Sequence, residues 1–346
     1  MNELMKLLSL SKPIIQAPMA GGPATPRLAA AVSNQGGLGS LASGYLTPAA
    51  LKRQIEETKE LTPALFQVNL FVPEKREQVS REKLEGWQKK IPLSQSAEPE
   101  TSEEQDWSDF NEKIDIILKS DVKVCSFTFG VPPVEVVGEL KKRQCCLIGT
   151  AVSVEEALLL EEKGMDVIVV QGSEAGGHRG AFLHTKGEAA VGSMALIPQA
   201  ADHVSVPVVA AGGIFDKRGV AAAFALGAQG VQLGSVFLAC SESGTSQIYK
   251  QQLIRAAETD TRLTRLFSGK PARGIVNQWM EDRRQDEDEA LPYPLQNALT
   301  KPMRKKAQLE NNPGNMSLWC GQAARAIEKE TTVEELMEQL CPAGVI

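Results

Sequence analysis

The sequence predicts one α/β domain, a (β/α)8 TIM barrel carrying an additional C-terminal lid region over the barrel mouth. Three observations carry this expectation. Eight short apolar runs recur along the chain, and most are followed by helical patterns with clear start signals. The runs are continuously apolar rather than alternating, as in strands buried on both faces of a parallel sheet. No G-x-G-x-x-G follows the first run, which disfavours a doubly wound open sheet.

The first run spans residues 14–19, and Thr25-Pro26 opens a helix through Ala29-Ala30-Ala31. The second covers 38–43, after which Thr47-Pro48 caps a helix with proline at its first turn. The third, 64–72, contains Phe66, Val68 and Leu70. The fourth, 124–129, leads to a helix start at Pro132-Pro133. The fifth, 146–151, precedes Ser153 and Glu156, spaced as a capping box. The sixth, seventh and eighth runs cover 166–171, 207–211 and 230–238. Residues 1–240 thus make the barrel core. Residues 73–123 interrupt it as a polar excursion, partly loop. Residues 241–346 are too many for one closing helix, so part of them covers the mouth or packs outside.

With 346 residues at 42% hydrophobic content, the chain can bury a sizeable core. A net charge of -6 and a single short basic cluster, Arg304-Lys305-Lys306, argue against nucleic acid as a partner. That cluster is expected to be a solvated helix face. Six scattered cysteines without a C-x-x-C pair, and only three histidines, supply no zinc site of the usual kind, so no metal is expected. Adjacent Cys145 and Cys146 would face opposite sides of a strand as small core residues. Reduced thiols suit a cytoplasmic protein. The apolar patch Leu7-Leu8-Ser9-Leu10 ends at Lys12-Pro13, too short for an export signal, and no apolar stretch is long enough to span a membrane.

Barrel active sites lie at the C-terminal strand ends. The first run ends Met19-Ala20-Gly21-Gly22, where glycines let a flat ligand approach. Asn69 is a carboxamide in the third run, able to donate and accept at a heterocycle edge. The sixth ends at Gln171 and continues Gly172-Ser173-Glu174-Ala175-Gly176-Gly177-His178-Arg179-Gly180. This loop lies close to a ligand while presenting one imidazole, which titrates near neutrality and can act as base. His184 lacks this setting, and His203 falls in a helical stretch. Gly212-Gly213 after the seventh run and Gln232-Leu233-Gly234-Ser235 in the eighth match the usual barrel phosphate site. Carboxamides, a glycine-rich loop and one phosphate site together suit FMN.

These motifs, with Pro18-Met19-Ala20-Gly21-Gly22, Ala211-Gly212-Gly213-Ile214 and Pro292-Tyr293-Pro294-Leu295-Gln296, resemble the nitronate monooxygenase family over most of the chain. Glu-Ala-Gly-Gly-His-Arg-Gly is the most telling stretch. The resemblance implies an FMN barrel that oxidises alkyl nitronates, such as propionate 3-nitronate, with O2 to a carbonyl compound and nitrite. By position it implies FMN contacts from Asn69, Gln171, Gly176, Gly213 and 232–235, with Met19, Ala20, Gly177 and Gly212 beside them. It makes His178 the catalytic histidine. Some bacterial members carry a second histidine where Thr128 stands in Ser126-Phe127-Thr128-Phe129-Gly130, a departure that bears on substrate preference. Arg179 would either attract an anionic substrate or make a surface ion pair. The FMN-dependent enoyl-acyl-carrier-protein reductases share the barrel and a Ser-Gly-Gly-His loop. Ala175, Arg179 and the Ala-Pro-Met-Ala-Gly-Gly opening lean away from them. NAD(P)H:quinone reduction and flavin binding without turnover remain the alternatives, and the oligomeric state is open.

Overall fold

The computed structural model describes residues 1–97, 102–184 and 190–341. Eight parallel strands form the barrel: β1 (Ile14–Gln16), β2 (Gly39–Ala42), β3 (Phe66–Phe71), β4 (Val124–Thr128), β5 (Cys146–Ala151), β6 (Val167–Gln171), β7 (Val208–Ala211) and β8 (Gly230–Leu233). They neighbour one another in chain order, and β8 pairs with β1. The ring closes between β1 and β2 through the parallel bridge Ile15–Leu38, where Leu38 N donates to Ile14 O and Gln16 N to Leu38 O, both at 2.9 Å.

Two runs break earlier than the apolar pattern predicts. The first strand stops at Gln16, before Pro18, which has no N–H to give a ladder. The eighth stops at Leu233; Gly234 adopts a helical conformation (φ -116°, ψ -68°), and Ser235–Leu238 is a helical turn. Apolar character alone did not separate strand from buried helix there.

The helix starts follow their caps. Thr25 and Thr47 accept the N–H of Leu28 and Ala50, each ahead of a proline in the first turn. Ser153 likewise accepts the Glu156 N–H, but the expected capping box does not close. The buried Glu156 carboxylate instead takes the N–H groups of Val152, Phe182 and Leu183, each at 2.8 Å. A buried carboxylate is best satisfied by several donors, and here it ties the segment after β6 to the preceding helix.

Alternation along the strands divides the core. Ile15, Leu38, Val124, Ile148, Val167, Val169 and Val209 fill the barrel with Leu4 of helix Glu3–Leu7 and Leu8 at its C-cap, which plug its lower end. Leu41, Val68, Phe127, Leu147, Val170 and Val231 face the outer helices. Cys145 belongs to the outer cluster and Cys146 to the inner one, on opposite faces as the sequence implies.

The excursion and the tail meet in a third apolar cluster. Trp87 of helix Arg81–Lys90 packs with Leu266, Phe267, Trp279, Met280, Leu299 and Met303, and its Nε1 donates to Glu289 O at 2.9 Å. The two polar-flanked segments therefore build one lid. The last described helix, Val333–Leu340, leaves the lid and packs between helices Pro26–Asn34 and Lys217–Ala225. It completes the outer ring, so the lid is inserted between β8 and the helix that follows it.

Candidate active site

Near the mouth the inward positions turn polar. Continuing the alternation, β3 presents Asn69, β4 Ser126 and Thr128, β6 Gln171 and β8 Gln232. Asn69 is buried, and its Nδ2 donates to Ser126 Oγ at 3.0 Å and Thr128 Oγ1 at 3.1 Å. Its Oδ1 is buried with no partner among the described residues. An unmet buried acceptor is costly, on the order of 1–3 kcal/mol, so this oxygen marks a place where a donor is missing. Thr128 supports Asn69 at the position where some relatives were expected to carry histidine.

Gln171 serves the loop that follows it. Its Nε2 donates to His178 O at 3.0 Å and its Oε1 accepts from Gly180 N at 2.8 Å. Glu174 accepts from Ser193 N and Oγ at the start of helix Ser193–His203. Arg179 is neither a surface pair nor an open anion site: it is buried, and its Nη1 donates to Gly172 O at 2.6 Å. Burial lowers its pKa to about 10. Arg273 of the lid holds Ser173 O at 3.0 Å. Gly177–His178 is itself a short strand, paired antiparallel with Ala272 and Arg273 of the hairpin Thr261–Thr264/Ala272–Ile275. A side chain at Gly176 would place Cβ 2.5 Å from Gly321 N, so only glycine allows the lid backbone this close.

The ends of β7 and β8 lie side by side, with Ala211 opposite Gln232. Gly213 (φ +73°) and Gly234 follow at matching positions. Among the described residues, the N–H groups of Gly213, Gly234 and Ser235 have no acceptor. Three unclaimed donors at adjacent strand ends suit a phosphate. Gly212 lies against the glycine-rich loop, where an added Cβ would come 3.1 Å from Ala175 N. Met19 and Ala20 are partly exposed at the end of β1, with Met19 Sδ about one van der Waals contact (4.0 Å) from a Cβ built on Gly234. Leu233 departs from the expected set: its side chain is buried in the outer cluster, so only its backbone can face the mouth. The Ser235 hydroxyl accepts from Gly321 N at 2.9 Å.

His178 is partly exposed, with Trp319 and Phe129 at ring-centroid distances of 5.3 and 6.0 Å. Its Nε2 lies 2.8 Å from Ser268 Oγ. That hydroxyl donates to Lys270 O and also receives Lys270 N–H, so toward the imidazole it acts as acceptor. The proton is thereby assigned to Nε2, and Nδ1 keeps a lone pair. Sequence reasoning expected a ring titrating near neutrality. Burial, then the charges of Lys270 and Arg304, lower its pKa from 6.5 to about 3. His203 is exposed in its helix and bonds Gln199 O, and His184 lies 3.5 Å from Glu155, both outside the site.

This shift has a stability consequence. The unfolded chain protonates His178 near pH 6.5 but the folded chain resists until about pH 3. Between these values the unfolded state binds more protons, so the contribution is fully present above pH 6.5 and declines as pH falls toward 3. We expect His178→Asn to flatten the stability-versus-pH slope across that window by up to about 1.4 kcal/mol per pH unit. Identical slopes in urea titrations of both proteins would refute this.

Sequence reasoning missed Ser268, Lys270, Trp319 and Phe129 around His178. The Pro292-Tyr293-Pro294 stretch was the available hint: Tyr293 lies 6.4 Å from the Phe129 ring and 5.6 Å from Lys270 Nζ.

The family model for nitronate monooxygenase matches residues 2–343. A probable nitronate monooxygenase of Bacillus subtilis (strain 168) is 62% identical over 345 residues, covering 100% of this chain and 99% of the relative. A nitroalkane oxidase structure from Streptomyces ansochromogenes superposes with a TM-score of 0.88 at 36% identity, covering 98% of this chain and 96% of that one. FabK from Thermotoga maritima gives 0.78 at 30% identity, covering 98% and 94%. The full-length family match, the relative's identity and the barrel with its histidine loop agree: this chain belongs to the nitronate monooxygenase family and is an oxidoreductase that oxidises nitronates.

Proposed function

We propose that the chain carries out this oxidation with FMN bound at the barrel mouth and O2 as oxidant. Each O2 serves two nitronates: each nitronate carbon gains one oxygen atom, its C–N bond breaks, and nitrite leaves with a carbonyl compound. The observation that carries the cofactor reading is the pair of unmet groups: N–H donors at Gly213, Gly234 and Ser235, and the acceptor Asn69 Oδ1. The first set suits a phosphate, the second an N–H on a heterocycle edge. Met19, Ala20, Gln232 and the backbone of Leu233 would line the space between them, with Gly176, Gly177 and Gly212 allowing close backbone approach. Gln171 would act by fixing the loop. When bound, FMN supplies the electron transfer that no side chain here can perform.

His178 would be the catalytic residue. Neutral imidazole with a bare Nδ1 can take the α-proton of a neutral nitroalkane. For a nitronate that arrives ionised, it would position the nitro oxygens. The six free, buried cysteines support a cytoplasmic setting. Among the described residues no helix is long and apolar enough to cross a membrane.

Anaerobic mixing tests the reading. Flavin released by acid should chromatograph as FMN, and nitronate should bleach the bound flavin without NAD(P)H. Release of FAD would overturn the cofactor assignment. Bleaching by NAD(P)H alone would favour a reductase.

A further inference from the structure

The basic cluster expected to be solvated divides in two. Lys305 and Lys306 are exposed, whereas Arg304 is turned inward and half-buried. It sits on helix Leu295–Leu309, which crosses the lid. Its Nε donates to Thr300 Oγ1 at 3.1 Å and its Nη2 to Asn297 O and Oδ1 at 2.9 and 2.8 Å. Every one of these partners is neutral. Nη1 makes no hydrogen bond among the described residues and keeps access to solvent.

The other cation near His178 differs. Lys270 is paired with Glu74 at 2.7 Å and lies over the Phe129 ring at 4.4 Å, so its charge is already answered. Among the described residues Arg304 carries a half-buried charge with no carboxylate beside it, an arrangement that costs free energy unless an anion completes it. Its place is defined by aromatic contacts. Thr300, its anchor, bonds Phe267 O, and the Phe267 ring packs on Trp319 at 5.6 Å, which packs on His178. Arg304 also lies within electrostatic reach of Tyr45, a side chain that is 43% exposed. Tyr45 joins His178 through Phe71 and Phe129 at 5.8, 4.7 and 6.0 Å.

Resting on the function proposed above, we propose that Arg304 is a specificity-determining residue that binds an oxyanion of the substrate at the Tyr45 end of the cleft, apart from His178. The guanidinium offers a planar donor edge suited to carboxylate or nitronate oxygens. It acts on binding rather than on the chemical step.

The test uses flavin-loaded wild type, Arg304→Met and Arg304→Lys with three ligands: ethyl nitronate, a nitronate bearing a remote carboxylate, and neutral nitroethane as substrate or competitive inhibitor. Arg304→Met should raise KM for the carboxylate-bearing nitronate by about 10- to 100-fold with kcat little changed, the range of one charge-assisted hydrogen bond. Arg304→Lys should recover part of the loss. If ethyl nitronate is spared, the bound oxyanion is the carboxylate; if it suffers equally, Arg304 reaches the nitronate that His178 is proposed to position, and the separate site is overturned. Nitroethane should be unaffected in either case. Unchanged KM for both anions, an equal loss with nitroethane, or a fall confined to kcat would overturn the proposal. Failure of wild type to oxidise either nitronate would instead defeat the underlying function.

Discussion

His178→Asn is expected to lower turnover of a neutral nitroalkane by about 10²-fold while leaving flavin content unchanged, the lower end of general-base help, because an imidazole with its pKa lowered to about 3 is a weak base. The loop that carries His178 is held by groups the substitution leaves alone. Gln171 bonds the backbone at His178 and Gly180, Arg179 holds Gly172 O, and the strand pairing to Ala272 is main-chain. The loss should be smaller with a pre-formed nitronate, which needs no proton removed. With pKa lowered to about 3, the free enzyme's imidazole is neutral throughout the ordinary assay range, so no step near pH 6.5 is expected from it in kcat/KM. Ser268→Ala provides a companion measurement. It frees the Nε2 proton and lets the ring exchange tautomers, so it should slow nitroalkane more than nitronate. Equal rates for His178→Asn and wild type on both substrate forms would remove the histidine from the mechanism.

Gly213→Asp or Gly234→Asp should abolish flavin retention, measured as flavin per folded protein. At Gly213 two effects combine. The positive φ of 73° disfavours any side chain, and an added Cβ would meet Glu174 Cβ at 3.4 Å, placing a second carboxylate near Glu174. At Gly234 the space is looser, with Ala17 Cβ at 3.5 Å, so repulsion of the phosphate is the main effect. Each charge-assisted bond lost costs about 1.5–3 kcal/mol, and two or three bonds separate tight from negligible binding. A folded Gly234→Asp protein with full flavin would place the phosphate elsewhere.

The barrel was legible because its signals are local: continuous apolar runs, Thr-Pro helix starts and strand-end glycines all lie within a few residues of what they determine. Asn69, Gln171 and Gln232 could be picked out for the same reason, being polar residues at the ends of apolar strands, and His178 as the one imidazole in the glycine-rich loop after β6. What periodicity could not supply was pairing across the chain. Glu156 answers donors at Phe182 and Leu183, and Trp87 meets Leu266 from just over half the chain away. Ser268, Trp319 and Arg304 belong to the site only because the lid folds back, and no local pattern distinguishes them from ordinary tail residues. The inward turn of Arg304 shows the limit plainly: its neighbours Lys305 and Lys306 are solvated as their composition suggests.

The position of the lid within the chain governs the order in which the protein can be made. Helix Val333–Leu340 completes the barrel's outer ring, yet it is synthesised after all the lid elements. During translation the apolar faces of helices Pro26–Asn34 and Lys217–Ala225 must wait uncovered until some hundred further residues have emerged, counting from the end of β8 at Leu233 to Val333. Domains of this size pass through exposed intermediates of that kind. A chain that stops short of Val333 would own a lid and a histidine loop but an unsealed ring, making the final helix the step that commits the nascent protein to its native state.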